Sequence, residues 1–127
     1  MKVVASVVSV AAALVLVGAA GAAQPAKGTE YVGVVKSSPF EMKILLGVAP
    51  NGKSARFTYL CGTGRAPTVV FGVPIDTTGR FAWKKATGTV VVWKMAGRFV
   101  SPTRARVSLN SIACGGSKGS TTLTPKQ

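Results

Sequence analysis

The sequence predicts an all-β fold, an antiparallel β-sandwich or a partly open β-barrel, following an N-terminal signal helix. Three observations carry this. After residue 23 no stretch keeps a helical period, and short runs of Val, Ile, Phe, Tyr, Trp and Thr recur instead. Turn-forming residues punctuate those runs about every 8–12 positions, the spacing of sandwiches and barrels. Within the runs apolar and polar residues alternate with a period of two, as strands with one buried face require.

The N-terminus comes first. Lys2 is followed by an apolar run from Val3 to Val17, broken only by Ser6 and Ser9, and then by small residues from Gly18 to Ala23. A basic start, an apolar core and a small-residue end make residues 1–23 a signal peptide, with cleavage near Ala23 and Gln24 as the first mature residue. The alternative is a membrane anchor, since a run of about 20 residues can cross a bilayer. Lys27 stands alone where a stop-transfer cluster would be, which favours cleavage. Either way the rest of the chain is secreted or extracytoplasmic. Residues 24–29, with Pro25 and Gly28, read as a flexible leader, and residues 30–127 as a single all-β domain.

Nine strands are expected in that domain: Glu30–Lys36, Glu41–Val48, Ser54–Cys61, Thr68–Gly72, Arg80–Lys85, Thr89–Met95, Gly97–Val100, Arg104–Asn110 and Ser120–Thr124. Ala49-Pro50-Asn51-Gly52 is the strongest hairpin signal, because Asn and Gly accept the positive φ of tight turns. Asp76-Thr77-Thr78-Gly79 and Ala86-Thr87-Gly88 are further turns, and Pro102 interrupts a ladder because it has no N–H to donate. Alternation places Phe57, Tyr59 and Cys61 on one face, Phe81 and Trp83 on another inward face, and Ala105, Val107 and Leu109 opposite Arg104, Arg106 and Ser108. Val90-Val91-Val92-Trp93 is apolar on both sides, so the side taken by Trp93 stays open.

Cys61 and Cys114 are an even pair in an exported chain, which points to a disulfide rather than two free thiols.

Composition excludes most chemistry. The chain has 127 residues, 16 Lys and Arg, three acids and no histidine, for a net charge of +13. Without histidine there is no imidazole base, His-based triad or His-ligated metal. Glu30, Glu41 and Asp76 are too few for a carboxylate metal cage or a glycosidase pair. No Ser–Lys spacing stands out, Glu41 reads as a surface charge, and Asp76 reads as the cap of its own turn. The chain is therefore expected to be non-enzymatic, with no cofactor and no metal.

Gly97-Arg98-Phe99, Ala105 with its short apolar strand, and Cys114 followed by a glycine-rich loop and a last strand resemble an ending found in uncharacterised secreted β-rich proteins of bacteria. The resemblance covers about residues 68–127 and implies a small secreted β fold, with no activity to transfer.

Charge is the feature with a direct functional meaning. Removing Lys2 with the signal leaves 15 basic residues against three acids on 104 residues. Arg80, Lys84, Lys94, Arg98, Arg104 and Arg106 fall on outward strand positions, with Lys85 and Lys118 in adjoining turns. On neighbouring strands they would form a cationic face that attracts polyanions. An anionic envelope polymer or lipid surface is the expected partner. Nucleic acid is disfavoured as the evolved partner, because Phe81, Trp83 and Phe99 are expected to point inward rather than offer stacking platforms. The alternative function is a secreted protein inhibitor or toxin, docking a protein partner through the Gly62–Pro67 loop that Cys61 anchors.

Overall fold

A computed structural model describes residues 23–62 and 66–127. The expected signal segment up to residue 22 and positions 63–65 of the Gly62–Pro67 loop lie outside the described residues.

Eight strands follow in order: β1 Glu30–Val35, β2 Met42–Val48, β3 Ser54–Cys61, β4 Thr68–Pro74, β5 Arg80–Thr87, β6 Val90–Ser101, β7 Arg104–Ser111 and β8 Ser117–Pro125. They form one antiparallel sheet in the order β4-β3-β2-β1-β8-β7-β6-β5. Each strand lies beside its sequence neighbour except at one place. β1 and β8 pair through Tyr31↔Pro125 and Val32↔Thr124, and the sheet stays unpaired between β4 and β5. The domain is thus a nearly closed barrel, and of the two expected architectures the sandwich is not the one formed.

The nine expected strands become eight because Thr89–Met95 and Gly97–Val100 belong to one strand, β6. Gly97 is not a break. A Cβ there would collide with the Phe81 ring and lie 2.9 Å from the Arg106 carbonyl oxygen, so glycine lets an aromatic ring lie against the strand. Gly97→Val should therefore destabilise by about 2–3 kcal/mol through overpacking. Ala96→Val, on the exposed neighbouring position, should stay within about 0.5 kcal/mol of the parent. Denaturant midpoints would compare them, and equal losses would refute the close-approach account.

β8 starts three residues before the expected Ser120, at Ser117. A 3₁₀ turn at Ile112–Cys114 ends in Gly115 with φ 67°, which returns the chain early enough for Ser117 to pair with Ser111. β4 runs on to Pro74 and β5 to Thr87. Residues 24–29 make specific contacts. The Gln24 side-chain amide donates to the Asp76 and Thr77 carbonyls, the Ala26 N–H donates to the Tyr31 hydroxyl at 2.9 Å, and Gly28 N–H donates to the Ala49 carbonyl.

Inward residues of all eight strands fill the barrel. Tyr31, Ile44, Leu46, Phe57, Phe99, Leu109 and Leu123 are fully buried. Trp93 is buried too, stacked on Phe57 at 5.8 Å and edge-on to Tyr59 at 5.3 Å. Tyr59 and Ser111 share a buried hydroxyl hydrogen bond of 2.9 Å. An eight-stranded barrel is just wide enough for such side chains. Here rings occupy it.

Cys61 and Cys114 are joined, with Cα atoms 5.5 Å apart. The bridge ties the end of β3 to the 3₁₀ turn after β7, across the barrel.

A candidate cationic binding surface

Ladder register sets out the outer face of β5 to β8 in three rungs. Arg80 pairs with Arg98, Arg98 with Arg106, and Arg106 with Thr122. Two residues along, Ala82, Ala96, Ser108 and Ser120 form the next outward rung. Two further, Lys84 pairs with Lys94, Lys94 with Asn110, and Asn110 with Lys118. The result is a trough with a floor of small exposed residues between a guanidinium wall and an ammonium wall.

Depressions on the surface coincide with it. One of about 330 Å³ is lined by Arg80, Arg98, Arg106, Ser108 and Ser120. A second of about 650 Å³ lies against Lys94, Ala96, Ser108, Lys118 and Ser120. A third of about 510 Å³ runs beside Ala82, Trp83, Lys84, Lys94 and Met95.

Five of the six expected cations, Arg80, Lys84, Lys94, Arg98 and Arg106, therefore line this trough. Arg104 is exposed but pairs with Ser101 beside the β6–β7 turn, outside the three rungs. Lys118 lies on β8 and joins the lysine wall, where the sequence had put it in a turn. Lys85 follows the inward phase of β5, opposite Trp93.

Among the described residues no acid forms an ion pair with these cations, and Asp76 lies beside Arg80 at the edge of the face. Among the described residues the ion pairs are Arg56–Glu30 at 3.1 Å and Lys126–Glu30 at 3.2 Å, both at β1, away from the trough. Glu41 is exposed just before β2. Asp76 is committed to its own turn, as expected, accepting from Thr78 N–H, Thr78 Oγ1–H and Arg80 N–H. The Thr78 hydroxyl bond, then the Arg80 N–H, hold its carboxyl below the ordinary range, and the charge of Arg80 contributes least. Arg98 is only partly exposed, and its Nε is the one buried side-chain polar atom without a hydrogen-bond partner among the described residues.

The floor was not singled out from the sequence, although a signal for it was there. Four segments share a polar-x-small-x-polar pattern: Arg80-x-Ala82-x-Lys84, Lys94-x-Ala96-x-Arg98, Arg106-x-Ser108-x-Asn110 and Lys118-x-Ser120-x-Thr122. Their alignment depends on strand order and register, which the pattern alone leaves open.

Most aromatic residues are turned away from the trough, and Trp83 at its β5 edge is the exception. Phe81, Trp93 and Phe99 are buried, and Trp93, the one ring whose side was open, faces the core. Trp83 follows the inward phase opposite Met95 yet is 38% exposed, because β5 is an edge of the sheet. Phe71, on the opposite edge strand β4, is exposed. No group of three or more Cys, Asp or Glu that could hold a metal occurs among the described residues. No helix among them is long and apolar enough to cross a membrane. Comparison with protein-family models, with curated proteins and with solved structures gives no match.

Proposed function

We propose that this chain is a non-enzymatic binding protein of the cell envelope or extracellular space, and that the outer face of β5 to β8 contacts an anionic partner. A disulfide between Cys61 and Cys114 is compatible with that location.

The observation that carries the reading is the cross-strand pairing of like charges. Arg80 faces Arg98, Arg98 faces Arg106, and Lys84 faces Lys94. Directly opposed like charges destabilise a sheet, each by a few tenths of a kcal/mol up to about 1 kcal/mol. A domain with three acids, none of them paired with these cations, tolerates that repulsion three times. Violations of local stability rules concentrate where function demands them. A bound polyanion relieves the repulsion, and it stabilises the fold by mass action.

The test compares two triple variants of equal charge. Arg80→Gln/Arg98→Gln/Arg106→Gln changes the trough, and Lys36→Gln/Lys43→Gln/Lys53→Gln removes the same charge from β1–β3 and their connections. Binding to immobilised polyphosphate is measured from about 50 mM to about 500 mM salt. If three phosphates are neutralised, the log–log slope is about −2 and parent affinity falls about 100-fold over that range. The arginine variant is expected to lose at least about tenfold at low salt and to show a shallower slope, the lysine variant little of either. Equal losses in the two would make net charge, not this face, the cause.

A further inference from the structure

Resting on that reading of the β5–β8 face, we infer that the trough seats a single flexible phosphodiester chain of the polyol-phosphate type. The chain would run across the strands over Ala82, Ala96, Ser108 and Ser120.

The dimensions select a chain. The arginine and lysine walls lie four residues apart along each strand, about 13 Å at strand rise. The three arginines step from β5 to β7 over about 10 Å at the ordinary strand spacing. A strip of about 13 Å between the two rungs has room for one backbone without bulky substituents. A flat bilayer would rest on the tips of the walls and leave the floor untouched. That floor is Ala and Ser, with no large apolar residue to insert into lipid.

Side-chain chemistry selects phosphate and hydroxyl. Guanidinium groups match phosphate oxygens in a two-pronged geometry, and lysines add charge without demanding direction. Arg98, at the centre of its rung, is only partly exposed, and its Nε–H is buried without a partner and closed off from solvent. On the floor, the Ser108 hydroxyl makes only a long bond of 3.4 Å to the Ala96 carbonyl, and Ser120 is exposed beside it. These hydroxyls suit a ligand that alternates phosphates with alcohols.

Single-stranded nucleic acid fits less well. Its affinity depends on successive aromatic platforms, and among the described residues Trp83, beside Lys84 and Lys94, is the one partly exposed ring at the trough, whereas Phe81, Trp93 and Phe99 are buried. A duplex is wider than the trough.

The experiment fills the floor without changing charge. The full mature chain and its Ala96→Leu/Ser108→Leu variant are titrated with poly(glycerol phosphate), phosphatidylglycerol vesicles and a single-stranded oligonucleotide. Ala82→Leu on the edge strand is a milder companion, and thermal melting confirms that each variant folds. The parent is expected to prefer poly(glycerol phosphate) over the other two probes. The double variant should lose about tenfold for that polymer, Ala82→Leu should lose less, and elution from a cation exchanger should not move. Unchanged polymer binding by the folded double variant would overturn the seated chain and leave the cationic face standing. Tighter binding of vesicles or oligonucleotide by the parent would overturn the polyol-phosphate assignment. Loss of the cationic face itself would instead show as equal binding by the two triple variants of the preceding section.

Discussion

Replacing Cys61 and Cys114 together with serine is expected to lower stability by about 4 kcal/mol, the chain-entropy value for a closed loop of this size. The bridge spans a sequence separation of 53 residues. For a domain near 100 residues that corresponds to a fall in Tm of roughly 15–30 °C. Topology gives the loss a particular location. β1–β4 and β5–β8 are each a run of hairpins, and the runs meet along the short β1–β8 ladder at Tyr31 and Val32. They also approach between β4 and β5, where no strand pairs form. The disulfide is the covalent tie between the two runs other than the chain itself, from β3 to the turn after β7. Melting of the parent with and without reductant, alongside the double serine variant, measures the effect. A change below about 5 °C would show that the interior packing holds the halves together without the bridge.

That covalent tie was readable from two cysteines in a chain expected to be exported, and so was most of the barrel. Alternation is a local property, and it put Phe57, Tyr59, Phe81, Val107 and Leu109 inward before any strand order was known. Errors came where a residue's role depends on a distant partner. Gly97 reads locally as a break, and only the Phe81 ring lying against it reveals a continuous β6. Ser117 reads as loop until Gly115 turns the chain back toward β7. The cations were legible one by one, because each sits on the polar phase of its strand. Their arrangement as two walls was not, since it needs β5, β6, β7 and β8 side by side at a fixed register. The small residues between the walls carried no chemistry of their own to draw attention.

Trp93 and Trp83 offer the sharpest contrast between phase and burial, and truncating each should separate the two. Both lie on inward phases, Trp83 opposite Met95 and Trp93 opposite Ser111. Trp93 is 3% exposed and packs against Phe57 and Tyr59, rings contributed by the other run of hairpins. Trp93→Ala removes that contact and leaves a cavity that the surrounding strands cannot close, at an expected cost of about 3–5 kcal/mol. Each ring pair adds about 0.5–1.5 kcal/mol beyond area, which places the loss at the upper end of that range. Trp83 sits on the edge strand β5, partly in solvent, so Trp83→Ala should cost about 1 kcal/mol. Denaturant unfolding of the two variants reads the difference directly. Fluorescence gives an independent check, because a Trp83→Phe variant retains Trp93 alone among the two tryptophans. Its emission should be blue-shifted and protected from iodide, and should become exposed at the same denaturant concentration at which the strands melt. Equal losses for the two alanine variants, or free quenching of Trp93, would mean that the barrel interior is not closed by these rings. The outer face would then lose the rigid support that holds its two cationic walls apart.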